Sequence, residues 1–169
     1  LIRFLLKSSR LESGLLVLHP KVQPIEPVLR AAMEQISDAA LKKRIIVSFE
    51  GTDKEACFDR KWTEEAIGNL LDNGVKYSPA GSRIEIGVTG YEMFTAVFVK
   101  DEGIGIGEEE QAQIFGRFYR GREVSQEPGV GIGLYLVREI AEKQGGYVKV
   151  RSEKGRGSVF YFYMARNGE

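Results

Sequence analysis

The chain has 169 residues, 43% of them hydrophobic, and its 24 basic side chains are balanced by 24 acidic ones. That length suffices for one domain with a substantial core and falls short of two of ordinary size, while the even charge supplies no global field toward nucleic acid or an anionic membrane. Cys57 is the only cysteine, which excludes an internal disulfide and a cysteine-built zinc site and fits a reducing, cytoplasmic setting; no run approaches the ~18 apolar residues of a membrane span.

Leu1, Leu5 and Leu6 recur at helical spacing before Gly14, so residues 1–14 read as the tail of a longer helix and its exit, with residues 15–169 as the domain proper. The opening on Leu rather than Met fits the loss of something upstream. Leu15 to Val22 reads as a strand, and Pro24 and Pro27 punctuate before a helical pattern at Val28, Leu29, Ala32, Met33, Ile36, Ala39 and Ala40. Ile45 to Phe49 and Ala56 to Phe58 read as short strands. Asp59 or Thr63 can cap the next helix, which Pro79-Ala80-Gly81 stops.

Arg83 to Thr89 alternates apolar and polar residues, and with Met93 to Val99 it predicts an antiparallel hairpin. Glu108 to Phe115 predicts a short helix whose acidic start suits the helix dipole. Gly121 to Gly129 is polar and aperiodic, a loop. Helical spacing returns from Gly131 to Gln144, and Tyr147 to Arg151 with Ser158 to Met164 form a last hairpin. Helices and hairpins segregate, which predicts an α+β sandwich with one mixed, mostly antiparallel sheet.

Four stretches carry chemistry. At about 100° per residue, Asn69, Asn73, Lys76 and Tyr77 fall on one side of their helix and Ile67, Leu70, Leu71, Gly74 and Val75 on the other. Such a wall suits a nucleotide: an amide oxygen for a hard cation, an ammonium for phosphate, a ring for a base. Asp101, followed by glycines at 103, 105 and 107, places a carboxylate beside backbone that can be approached closely, and an ionised Asp accepts from an exocyclic amine. Phe115 to Arg120 mixes aromatics with arginines. Gly129, Gly131 and Gly133 precede a helix, where exposed N–H groups attract anions; the spacing is neither a dinucleotide fingerprint nor a P-loop. Each stretch alone also has an ordinary account as a turn, a cap or core. His19, between Leu18 and Pro20, reads as a partly exposed bystander, and no Ser-His-Asp set, histidine-based metal cluster or basic-aromatic nucleic-acid strip can be assembled.

In this order the four motifs resemble the ATP-binding catalytic domain of bacterial two-component sensor histidine kinases, in the superfamily shared with gyrase, Hsp90 and MutL ATPases. Asn69 to Ser78 resembles the family's N box, Asp101 to Gly107 its G1 box, Phe115 to Arg120 its F box, and Gly129 to Leu134 its G2 box. Residues 1–14 resemble the end of the second dimerisation helix. The resemblance implies a Bergerat-type two-layer sandwich with helices on one face of the sheet. It implies ATP and Mg²⁺ as cofactors, with Asn73 on the metal, Asn69 beside phosphate or metal-bound water, Lys76 on phosphate, Tyr77 against adenine or ribose, and Asp101 accepting from the adenine amine. Gly103 and Gly105 would allow close approach, Tyr119 and Arg120 would stand at the mouth, Gly121 to Pro128 would form the lid, and Gly129, Gly131, Gly133 and Leu134 would offer N–H groups to the phosphates.

The superfamily's hydrolases keep a water-activating Glu four residues before the metal-binding Asn; that position here is Asn69. The implied activity is therefore phosphoryl transfer to a histidine on the protein's own dimerisation domain, then to the receiver domain of a response regulator. The implied parent is a homodimer that can be anchored in the cell membrane, with this domain cytoplasmic and free to be monomeric in isolation, and no nucleic acid partner. An ATP-hydrolysing clamp and a non-catalytic nucleotide-sensing module are the alternatives.

Overall fold

The computed structural model describes residues 17–116 and 133–168. The expected dimerisation-helix remnant at 1–14 lies outside them. In chain order the elements are β1 (Lys21–Pro24), α1 (Glu26–Lys42), β2 (Ile46–Phe49), β3 (Glu55–Phe58), α2 (Arg60–Tyr77), β4 (Arg83–Gly90), β5 (Phe94–Asp101), α3 (Glu108–Gln111), α4 (Gly133–Lys143), β6 (Tyr147–Ser152) and β7 (Ser158–Ala165).

Five strands form one sheet in the order β2-β4-β5-β7-β6. Among the described strands of this sheet only β2 and β4 pair in parallel; β4–β5, β5–β7 and β6–β7 are antiparallel. β1 and β3 make a separate antiparallel ribbon. Alternation along each strand turns Ile84, Ile86, Val97, Val99, Phe160, Phe162 and Met164 to one side, where they share a core with Leu29, Ile67, Leu70, Leu71, Leu136 and Ile140 of the three long helices. This is the expected α+β sandwich, mostly antiparallel, with helices against one face.

Two boundaries differ from the sequence reading. The first strand begins at Lys21 rather than Leu15, because residues 17–20 lead in without ladder pairing and Pro24 is tolerated at the end of a two-stranded ribbon. The helix at Glu108 closes at Gln111; its continuation holds only tight turns, with Gln113 N–H donating to the Glu110 carbonyl and Gly116 N–H to that of Gln113.

α2 begins as its sequence specifies. Asp59 is extended at the N-cap, and its Oδ1 accepts from Trp62 N–H at 3.0 Å while Oδ2 accepts from the His19 backbone N–H at 2.9 Å. Gln144, just past α4, joins the junction: its Oε1 accepts from Asp59 N–H at 2.6 Å and its amide nitrogen donates to Thr63 Oγ1 at 3.0 Å. These groups are buried, so the start of α2, the end of α4 and the incoming chain are tied by bonds that water cannot replace cheaply.

Asp59→Ala removes an N-cap acceptor and should cost about 1–2 kcal/mol, read as a lower urea midpoint with an unchanged slope. Asp59→Asn, which still offers Trp62 an oxygen, should recover most of it. An alanine variant as stable as the parent would contradict this junction.

Candidate functional site

The polar side of α2 is where the wheel places it. Asn69, Asn73 and Tyr77 are half-buried and Lys76 is exposed, whereas Ile67, Leu70, Leu71, Gly74 and Val75 are buried. The helix can press on the sheet because residue 74 has no side chain: a Cβ there would stand 3.1 Å from Ile84 Cδ1 and 3.9 Å from the Asp101 Cβ. That contact brings Asp101, at the end of β5, beside the turn of α2 that carries Asn73 and Tyr77.

The loop after β5 is fitted against the same turn. A Cβ on Gly103 would lie 2.8 Å from the Tyr77 carbonyl oxygen and 3.0 Å from Asp101 Oδ1. Gly105 adopts φ +74° with its backbone against the Glu153 carbonyl, so any side chain there would be both strained and in collision. The close approach permitted at both glycines is thus to the protein's own backbone. The β6–β7 hairpin completes the brace: Ile106 N–H donates to Ser152 Oγ at 2.7 Å, Gly155 N–H to the Ile104 carbonyl at 2.7 Å, and the Gln111 amide to the Ile106 and Ser152 carbonyls at 2.9 Å each.

Asp101 Oδ1 accepts from Gly103 N–H at 2.8 Å and Ser158 N–H at 3.2 Å. Both bonds end on the same oxygen, which leaves Oδ2 outside them. Burial pushes the carboxyl pKa above its usual 3.8, and the two backbone donors only partly offset that. The carboxylate is therefore fixed in direction and short of partners, a good acceptor for one further donor.

Lys76 Nζ lies 3.5 Å from Asp72 Oδ2 in an exposed pair one turn apart, a weak contact that a phosphate could displace. Asn69 reaches the other glycine motif: its Nδ2 donates to the Gly133 carbonyl at 3.4 Å, tying α2 to the first turn of α4. Leu134 follows at a half-buried position. The structure therefore gathers Asn69, Asn73, Lys76, Tyr77, Asp101, Gly103 and Gly133 about the polar side of α2, whereas the Leu134 side chain packs against the core. Tyr119, Arg120, Gly129, Gly131 and the expected lid from Gly121 to Pro128 lie outside the described residues.

Two supporting groups escaped the sequence reading. Lys43, after α1, donates from Nζ to the Val75 and Lys76 carbonyls at 2.7 and 2.8 Å; in the run Lys42-Lys43-Arg44 nothing marks it. Ser152 reads as the end of a strand, yet its hydroxyl sits within the brace of the Asp101 loop, also touching the Gly157 carbonyl and Ser158 Oγ.

The family model described as histidine kinase-, DNA gyrase B- and HSP90-like ATPase matches residues 58–167. Sensor protein SrrB of Staphylococcus aureus is 29% identical over 169 residues, which is 98% of this chain and 29% of SrrB; this chain thus spans less than a third of that relative. The fold is that of Acinetobacter baumannii histidine kinase AdeS, with TM-score 0.78 and 22% identity over 99% of this chain and 77% of the other. Full-length ShkA in complex with AMPPNP gives TM-score 0.80 and 24% identity over 99% of this chain and 36% of ShkA.

Asp101→Asn keeps the Oδ1 acceptor for both backbone donors and removes a buried charge. The raised carboxyl pKa means that ionisation costs the folded state stability, a cost absent below the usual 3.8 and present once pH exceeds the raised value. Without nucleotide, the asparagine variant should therefore melt at or above the parent temperature at pH 7, and its advantage should vanish as pH falls through the raised pKa toward 3.8. A variant less stable at pH 7 would contradict the assignment of both bonds to Oδ1.

Proposed function

The chain belongs to the histidine kinase-, DNA gyrase B- and HSP90-like ATPase family, and from that premise we propose that it binds Mg–ATP against the polar side of α2. The γ-phosphoryl group then passes to a histidine on the protein's own dimerisation domain, and from there to the receiver domain of a response regulator. Adenine would lie at the Asp101 end, its exocyclic amine donating to Oδ2, with Tyr77 packed on the base or ribose. The triphosphate would run toward Lys76 and the start of α4, where Gly129, Gly131, Gly133 and Leu134 would offer N–H groups, with Tyr119 and Arg120 at the mouth and Gly121 to Pro128 as a lid.

The donor set fits magnesium rather than a metal held in a protein cage. Among the described residues no group of three or more His, Cys, Asp or Glu side chains is placed to hold a metal, and the half-buried Asn73 offers one hard amide oxygen, as suits a cation that keeps waters and phosphate oxygens for its other ligands. When bound, Mg²⁺ would neutralise part of the triphosphate charge. Lys76, released from Asp72, would neutralise more, and the fixed α2 and Asp101 would hold the nucleotide in line for attack; positioning and charge compensation are what phosphoryl transfer asks of a protein.

The observation that carries transfer over hydrolysis is Asn69. It stands where the family's hydrolases keep a water-activating carboxylate, its amide is no base, and its nitrogen is already engaged with Gly133. His19, exposed just before β1 and flanked in sequence by Leu18 and Pro20, engages Asp59 through its backbone N–H and is not assigned as acceptor.

Mixed with a separately expressed dimerisation domain that carries the acceptor histidine, the chain should label that histidine from γ-labelled Mg–ATP while releasing little phosphate alone. Asp101→Asn should weaken nucleotide affinity by about tenfold or more, because a mispaired buried group costs ~1–3 kcal/mol. Phosphate release at ordinary enzymatic rates, abolished by Asn69→Ala, would instead identify a hydrolysing clamp.

A further inference from the structure

The sheet face turned away from the helices carries a pattern that nucleotide binding does not use. Register aligns its side chains in rows across β4, β5, β7 and β6. One row reads Glu85, Lys100, Val159, Arg151; the next Gly87, Phe98, Tyr161, Lys149; the third Thr89, Ala96, Tyr163, Tyr147. Phe94 and Tyr91 close the far end, each with its ring within 6.3 Å of Tyr163. The face is thus cationic at one end and aromatic along the rest.

Several contacts make it a formed surface. Phe98 lies over Gly87, where a Cβ would fall within 2.3 Å of the ring. Tyr147 and Tyr163 stack at 4.2 Å and 9°. At the cationic end a cleft of about 320 Å³ is lined by Lys100, Arg151 and Arg156 together with the acids Asp101 and Glu153; Asp101 Oδ1 is taken there by the Gly103 and Ser158 N–H groups. Glu153 pairs only loosely with Arg156, at 3.8 Å with both side chains mostly exposed. Lys100, Lys149, Arg151 and Arg156 thus outnumber Glu85, Asp101 and Glu153 on a chain whose net charge is zero.

We propose that this outer face is a docking surface for an acidic, extended polypeptide segment: its carboxylates meet Lys100, Arg151 and Arg156 at the cleft, and its apolar residues lie on Phe98, Tyr161 and Tyr163. Charge complementarity carries the choice, since guanidinium groups receive carboxylates in paired hydrogen bonds and aromatic residues with Arg are the usual anchors of protein interfaces.

A single-stranded nucleic acid fits less well, because bases need free ring faces. Here Tyr147 and Tyr163 face each other, Lys149 Nζ stands 5.6 Å over the Tyr147 ring and Arg151 Cζ 5.9 Å over that of Tyr161.

The test is fluorescence anisotropy on the full chain with a short labelled peptide of alternating glutamate and leucine. A lysine–leucine peptide, a single-stranded oligothymidine and phosphatidylglycerol vesicles serve as competitors. The glutamate peptide should bind, none of the three should displace it, and the double variant Lys100→Gln, Arg151→Gln, which places no carboxylate opposite Glu85, should weaken it by about tenfold or more while remaining folded by thermal melting. Failure of the glutamate peptide to bind, equal binding by the double variant, or displacement by any of the three competitors would overturn the proposal.

Discussion

The last turn of α2 is held from behind by one ammonium group, and the site depends on that restraint. A helix ends with carbonyl groups that have no partner in the helix and carry the negative end of its dipole. Lys43 Nζ takes the Val75 and Lys76 carbonyls at 2.7 and 2.8 Å, while its own carbonyl accepts from Gly81 N–H at 2.9 Å. The end of α1, the end of α2 and the turn into β4 are therefore one unit. From the opposite side Gly103 closes on the Tyr77 carbonyl. Between these supports, Asn73, Lys76 and Tyr77 have a fixed base from which to meet a ligand.

The other end of α2 is fixed by different chemistry. Asp59, Thr63 and Gln144 form a buried polar junction that also receives the backbone of the entering chain through His19. Asn69 then joins the middle of α2 to the start of α4. The two helices that frame the site are thus coupled at two levels, near Gln144 and near Gly133, and the entering chain is attached to the first of them.

Much of this was legible because it is local. The α2 wheel, the Asp59 cap, the break at Pro79 and the two antiparallel hairpins each follow from residues adjacent in sequence or one turn apart. Asp101 could be singled out because glycines follow it. What could not be read is held by long-range contact. The parallel β2–β4 pairing, the Lys43 clamp and the Ser152 brace join segments about thirty or more residues apart with no pattern at either end. The early start assigned to the first strand failed because an apolar run says nothing about where ladder pairing begins. The aromatic outer face was visible only as alternating residues in separate strands, and its continuity needs the register between them.

The central claim is that the polar wall of α2 meets a metal–nucleotide complex through Asn73. Calorimetric titration of ATP with and without Mg²⁺, parent chain against Asn73→Ala, tests it most directly. The account predicts Mg²⁺-dependent binding by the parent and loss of that dependence in a variant that remains folded. Equal Mg²⁺-dependent affinity in both proteins would remove the metal from Asn73, and absence of binding by the parent chain would contradict the nucleotide site itself.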